Sequence, residues 1–228
     1  MLAKRKKLSR KEIREDGLIT FYYKVVGLYG TYKQNFLIGG VAVIVLAAAA
    51  FFYVQQKNSN NEKANIELSR VLPLFDAGMY LEAIQGNPAS KVMGLKKIVA
   101  EYGNSENGEI AKVYLAHAYS YLGKVDEALK NYEDYGGNND LFKAAAFAGE
   151  AAGYESKNDL EKAAELYRKA SSVSEENALN PQYMLFSGIN LIKVKKISEA
   201  KEIFKRIKKD FPTSTSGREV DRYLAQVE

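Results

Sequence analysis

The chain has 228 residues, with 33 Lys or Arg, 28 Asp or Glu, no cysteine and a formal net charge of +5. The first 35 residues carry nine Lys or Arg and three acids, so the remainder has a net charge of about −1. A nucleic-acid-binding domain is expected to carry its own basic face, and this charge balance argues against one. The lack of cysteine excludes a disulfide framework and a zinc–thiolate site.

The N-terminal arm combines a basic stretch with an aromatic segment. We expect its first Lys and Arg side chains to contact anionic lipid headgroups. These residues are Lys4, Arg5, Lys6, Lys7, Arg10 and Lys11. Between residues 18 and 35, apolar and aromatic residues recur at helical spacing, which predicts a helix in the plane of the membrane interface. The alternative is an amphipathic helix that packs against a partner protein.

Residues 36–54 form a run of nineteen residues without a charge. As a helix this run is ~28 Å long, close to the thickness of a bilayer core. The positive-inside rule then puts the N-terminus in the cytoplasm and the C-terminal part outside the inner membrane. A cleaved signal peptide is the alternative, since small residues occupy positions 47–50. The 35-residue arm and the apolar residues 51–54 favour an uncleaved anchor.

Three later segments align with one another. In each, a small residue precedes an aromatic residue by four positions, and these small residues are 35 and 37 positions apart. Close packing of two helices explains the pattern, because a small side chain makes room for the ring. The predicted packing residues are Ala116, Ala128 and Tyr132, then Ala151, Ala163 and Tyr167, then Gly188, Ala200 and Phe204, with Pro212 ending the last segment. The pattern resembles the tetratricopeptide repeat, whose period is near 34 residues, although a generic helical bundle is the alternative.

The predicted fold class is therefore all-α, with an N-terminal transmembrane helix followed by a tetratricopeptide-like α-solenoid of antiparallel helix pairs. We expect one helix over 62–83, bent or interrupted at Pro73, and another over 89–102 that begins after Asn87-Pro88. The predicted helix-to-helix turns of the three repeats are 122–124, 157–159 and 195–197. The predicted organisation is a basic cytoplasmic arm (1–17), an interfacial segment (18–35), the span (36–54), a linker (55–61), a degenerate repeat or N-terminal cap (62–108), three repeats (109–214) and a capping helix (215–228).

No catalytic constellation is recognisable. His117 is the only histidine in the sequence. Because there is no cysteine and no partner motif, we expect it to have a structural or groove-lining role rather than a catalytic one. We predict no enzyme activity, metal, cofactor, nucleic acid or small-molecule substrate. The expected working surface is the concave face made by the first helix of each pair, where a polypeptide partner would bind. Its predicted residues are Val113, His117, Ser120, Ala148, Ala152, Glu155, Leu185, Ile189 and Ile192. Alternatively, the 62–83 helix fills this groove.

A basic arm, one span and an outward repeat domain together resemble the ancillary SecYEG translocon subunit family. That resemblance implies an inner-membrane protein with a periplasmic scaffold domain. It also implies partners among translocon subunits, periplasmic chaperones and emerging polypeptides, and a role in translocation or chaperone handover. Two alternatives stay open: an envelope-assembly or cell-division scaffold, and a structural subunit of a membrane complex.

Overall fold

The computed structural model describes the backbone of residues 10–227 and the side chains of residues 17 and 19–227. Of the predicted headgroup contacts, Lys4 to Lys7 lie outside the described residues, as do the side chains of Arg10 and Lys11. The chain divides into two compact units, Met1–Gln56 and Lys57–Glu228.

The described residues are almost entirely helical, so the predicted all-α class is confirmed at this level. A two-stranded antiparallel hairpin is the single sheet among them. The elements are α1 (Arg10–Asp76), α2 (Tyr80–Gln85), β1 (Gly86–Asn87), β2 (Val92–Met93), α3 (Leu95–Tyr102), α4 (Glu106–Tyr121), α5 (Val125–Glu133), α6 (Asp140–Ser156), α7 (Leu160–Ala170), α8 (Asn180–Lys193), α9 (Ile197–Asp210) and α10 (Thr215–Leu224).

Within the first unit, helix α1 has one irregular residue. Tyr32 departs from helical geometry, with φ −116° and ψ 24°, and this break separates the aromatic segment from the uncharged run. The large apolar side chains between Ile19 and Val54 are exposed. This helix is long and apolar enough to cross a membrane, and a signal sequence near an N-terminus meets the same criteria.

The C-terminal end of α1 differs from the sequence prediction. Residues 55–61 are helical rather than a linker. The helix also continues through Pro73 to Asp76, and the break falls at Gly78, whose φ is +74°. Glycine adopts this left-handed conformation without a Cβ clash, so the chain turns at Gly78 and α2 begins at Tyr80.

The helix predicted over 89–102 begins only at Leu95. The preceding residues form the β1–β2 hairpin, whose base is pinched between Gly86 and Gly94. A Cβ on Gly94 would lie 2.3 Å from the backbone of Gln85, so only glycine permits this approach. The end of α2 and the start of α3 therefore lie close together, with the hairpin between them.

One turn geometry recurs through the second unit. Gly123, Asn158 and Lys195 all have φ between +63° and +71°. Each donates its amide to the carbonyl three residues earlier, and the next residue donates to the carbonyl five residues earlier. These left-handed residues are 35 and 37 positions apart. The turn at Gly78 has the same pair of bonds, donated by the amides of Gly78 and Met79. The third turn is thus centred on Lys195, which is the first residue of the predicted tripeptide 195–197 rather than its middle one.

Successive helices from α4 to α10 pack against their neighbours in the chain. The predicted packing residues come together in these layers. Ala116, Ala128 and Tyr132 share one core cluster, and Ala151 shares another with Tyr167. The ring of Phe204 covers Gly188, where an added Cβ would come within 2.3 Å of it. The remaining members, Ala163 and Ala200, are fully buried, and α9 ends at Asp210, two residues before Pro212.

Candidate partner-binding surface

Two of the predicted groove residues do not reach the surface. Val113 is 1% exposed and packs beside Tyr132 and Ala146, and Leu185 is 4% exposed in the C-terminal core cluster. Neighbouring helices cover these positions, so neither side chain is free to contact a partner. At these two positions the structure therefore shows core side chains rather than the lining of an open groove.

Two further predicted groove residues surround the ring of Tyr132. His117 lies edge-on to this ring, with centroids 5.4 Å apart, and Ser120 Oγ is 3.4 Å from the Tyr132 hydroxyl. Burial lowers the pKa of His117 below its usual value, so the imidazole is neutral at pH 7. Its environment is that of a packing residue rather than of a general base.

Glu155 lies on α6, 35 positions after Ser120, and so occupies the equivalent place in the next predicted repeat. It accepts a 2.8 Å hydrogen bond from Lys193 Nζ and a 3.4 Å bond from the Tyr167 hydroxyl. This half-buried carboxylate thus joins α6, α7 and α8 instead of lining a free groove. Of the remaining predicted residues, Ala152 is exposed, and three are half-buried against core clusters. These three are Ala148, Ile189 and Ile192.

A different set of aromatic side chains forms a continuous surface in the second unit. We define this aromatic surface as Phe75, Tyr80, Tyr114, Tyr121 and Phe142. Tyr80 and Tyr121 stack with centroids 4.5 Å apart and planes 8° apart. Phe75 meets Tyr114 edge-on at 5.2 Å, and Tyr114 approaches Phe142 at 6.0 Å. The surface thus runs across α1, α2, α4 and α6.

The aromatic surface is accessible at its Tyr121 end. The Tyr121 residue is 65% exposed, and the neighbouring Leu122 is 40% exposed. Met79 and Leu81, which flank Tyr80 in sequence, are also exposed. Tyrosines of this kind supply large contact areas with little conformational entropy to lose, and they are enriched at the centres of protein interfaces.

Sequence periodicity did not identify this surface. Tyr114 and Tyr121 lie seven residues apart on one face of α4, which is a usable helical signal. Their partners Phe75 and Tyr80 lie on either side of the turn at Gly78, within a stretch predicted as one helix over 62–83 bent or interrupted at Pro73, so the sequence did not reveal the stack. The end of α1 also packs against α4, where Leu68 and Val71 share a cluster with Ala111 and Leu115.

No group of three or more His, Asp or Glu is placed to hold a metal ion in the part of the chain that the structure describes. No protein-family model matches the chain, and no curated protein or solved structure is significantly similar to it. Over residues 10–227 the structure shows a mainly helical protein with one apolar helix long enough to cross a membrane.

Proposed function

We propose that the protein is a non-enzymatic scaffold, anchored in the inner membrane by α1, that binds a polypeptide partner on its aromatic surface. The observation that carries this proposal is the stack of exposed Tyr121 on half-buried Tyr80 in the second unit, on a chain whose first unit exposes a long apolar helix. An exposed apolar helix of this length is stable within lipid, and an exposed aromatic stack gains most when a partner covers it.

The recurrent turns support a tetratricopeptide-like arrangement of the second unit. The same backbone bonds close the turns at Gly123, Asn158 and Lys195. Tyr132 and Tyr167 each place their hydroxyl beside a residue twelve positions earlier. Repeating contacts at a repeating spacing are typical of solenoids, in which the first helices of successive pairs line one face.

The orientation and partners follow the charge pattern and the family resemblance. The basic arm favours a cytoplasmic N-terminus and a periplasmic second unit. The partner class that the resemblance favours is translocon subunits, periplasmic chaperones or emerging polypeptides, which the scaffold would hold during translocation or handover. Tethering raises the local concentration of the surface, so a weak contact suffices.

The test is site-specific photocrosslinking in intact cells. A photoreactive phenylalanine analogue replaces Tyr121, and a control chain carries it at Leu179, which is 42% exposed and precedes α8. We expect crosslinked polypeptides from position 121 that are absent from position 179. Equal crosslinking at the two positions, or none at position 121 in a correctly inserted protein, would refute the aromatic surface as the binding site.

Identification of the crosslinked proteins separates the possible roles. Channel subunits together with periplasmic chaperones support the translocon role. Proteins of cell-wall synthesis, cell division or outer-membrane assembly support an envelope scaffold. One stoichiometric complex recovered without crosslinks to the second unit supports a structural subunit held by its apolar helix.

A further inference from the structure

The charges of the second unit are separated along the chain. Residues 57–192 carry 14 Lys or Arg and 19 Asp or Glu, a net charge of −5. Residues 193–209 carry eight Lys or Arg and two Glu, a net charge of +6 within 17 residues. The net charge of about −1 for residues 36–228 hides this second basic region, because the acids of residues 57–192 offset it.

Helix α9 places several of these charges on one outward stripe. Ala200, Phe204 and Ile207 face inward and are fully buried. Lys201, Lys205 and Lys209 follow one another at intervals of four residues, which puts them on one face of the helix. Lys205 and Lys209 are exposed, and Lys201 is half-buried.

The basic stripe, defined as Lys201, Lys205 and Lys209, has no ion-pair partner among the described residues. The other cations of α9 differ, because Arg206 pairs with Asp210 and Lys208 pairs with Asp221 of α10. The remaining acids of the helix, Glu199 and Glu202, form no ion pair with the stripe. The three ammonium groups are therefore available to a negatively charged partner on one face of α9.

We propose that the basic stripe binds the anionic headgroups of the membrane in which α1 is anchored, an inference that rests on the proposed anchorage. Clusters of lysine are attracted to anionic lipid surfaces. Lysine offers a compact charge without the fixed fork of arginine, so it suits a diffuse layer of phosphates better than one shaped anion. The anchor keeps the stripe near a bilayer, which raises its effective concentration there. The contact holds the second unit against the membrane.

The absence of native cysteine permits a direct test with the full-length chain. Ser198→Cys places one dye on the exposed first turn of α9. Energy transfer from this dye to a headgroup acceptor is measured in vesicles of phosphatidylcholine alone and of phosphatidylcholine with phosphatidylglycerol. We expect higher transfer efficiency in the anionic vesicles and its loss at 1 M salt, where the Debye length is ~3 Å.

Two charge variants of the labelled chain test whether the basic stripe makes the lipid contact. Substituting Gln at Lys201, Lys205 and Lys209 removes the stripe and should abolish the lipid-dependent increase. Substituting Gln at Lys96, Lys130 and Lys143 changes the net charge equally at exposed lysines elsewhere and should preserve the increase. Equal transfer in the two vesicle types, or equal loss in the two variants, overturns the proposal.

An alkaline carbonate wash of the same vesicles distinguishes failure of the basic stripe from failure of the membrane anchorage. Protein that remains in the vesicles but shows no lipid-dependent transfer contradicts the basic stripe alone. Protein that is extracted by the wash contradicts the anchorage, and the proposed lipid contact fails with it.

Discussion

Glu150 offers a sharp test of the packing between α5, α6 and α7. It lies on α6 and is 9% exposed. Burial and, to a smaller extent, the negative charge of Glu133 raise its pKa, Lys162 and Lys169 oppose the shift, and the resulting pKa is about 7. We expect Glu150→Gln to remove the cost of holding a carboxylate in this position.

The direction of the pH dependence follows from the two pKa values. The folded-state pKa of about 7 lies above the ordinary value of 4.5 for an unperturbed carboxyl, so the folded protein binds the proton more tightly than the unfolded chain. This contribution to stability is complete below about pH 4.5 and is lost as the pH rises through about 7. At about 1.4 kcal/mol per pKa unit, the full loss is roughly 3–4 kcal/mol, of which roughly 2–3 kcal/mol falls between pH 5 and pH 8.

The assay is urea unfolding at pH 5 and pH 8, followed by far-ultraviolet circular dichroism of the full-length protein in detergent. We expect Glu150→Gln to be close to wild type at pH 5 and more stable by roughly 2 kcal/mol at pH 8. Glu82→Gln, which alters an exposed carboxylate on α2, is the control. If Glu150→Gln gains no stability between pH 5 and pH 8 relative to that control, Glu150 is not a buried carboxylate with a raised pKa.

Two further predictions concern the recurrent packing and turns. Gly188→Ala should lower the free energy of unfolding by about 1–3 kcal/mol in the same urea assay, because its Cβ would collide with the ring of Phe204; an unchanged midpoint would contradict this close approach. Lys195→Gly should raise the free energy of unfolding by about 1 kcal/mol, because glycine adopts φ +63° without strain. Substitution of the neighbouring Lys196, which has φ −85°, by Gly should not stabilise the protein.

Local sequence patterns determined the features of this protein that depend on a single segment. The uncharged run of residues 36–54 requires a helix that can satisfy its own backbone in an apolar medium. Left-handed residues are local events too, and the turns at Gly123 and Asn158 fall inside their predicted tripeptides. The aromatic residues of the second helices meet small residues because ring and gap recur at one spacing.

Only the tertiary structure decided which helical faces stay exposed. Periodicity marks Val113 and Leu185 as apolar positions, but whether such a position is groove or core depends on helices far away in the chain. The end of α1 shows the same limit, because Pro73 is a stronger local breaker than Gly78, yet the helix continues to Asp76. There, Val71 packs with Leu115 in a shared core. Contacts between residues so far apart in the sequence do not appear in local periodicity. Distant packing, which local propensity cannot encode, therefore built the aromatic surface from α1, α2, α4 and α6.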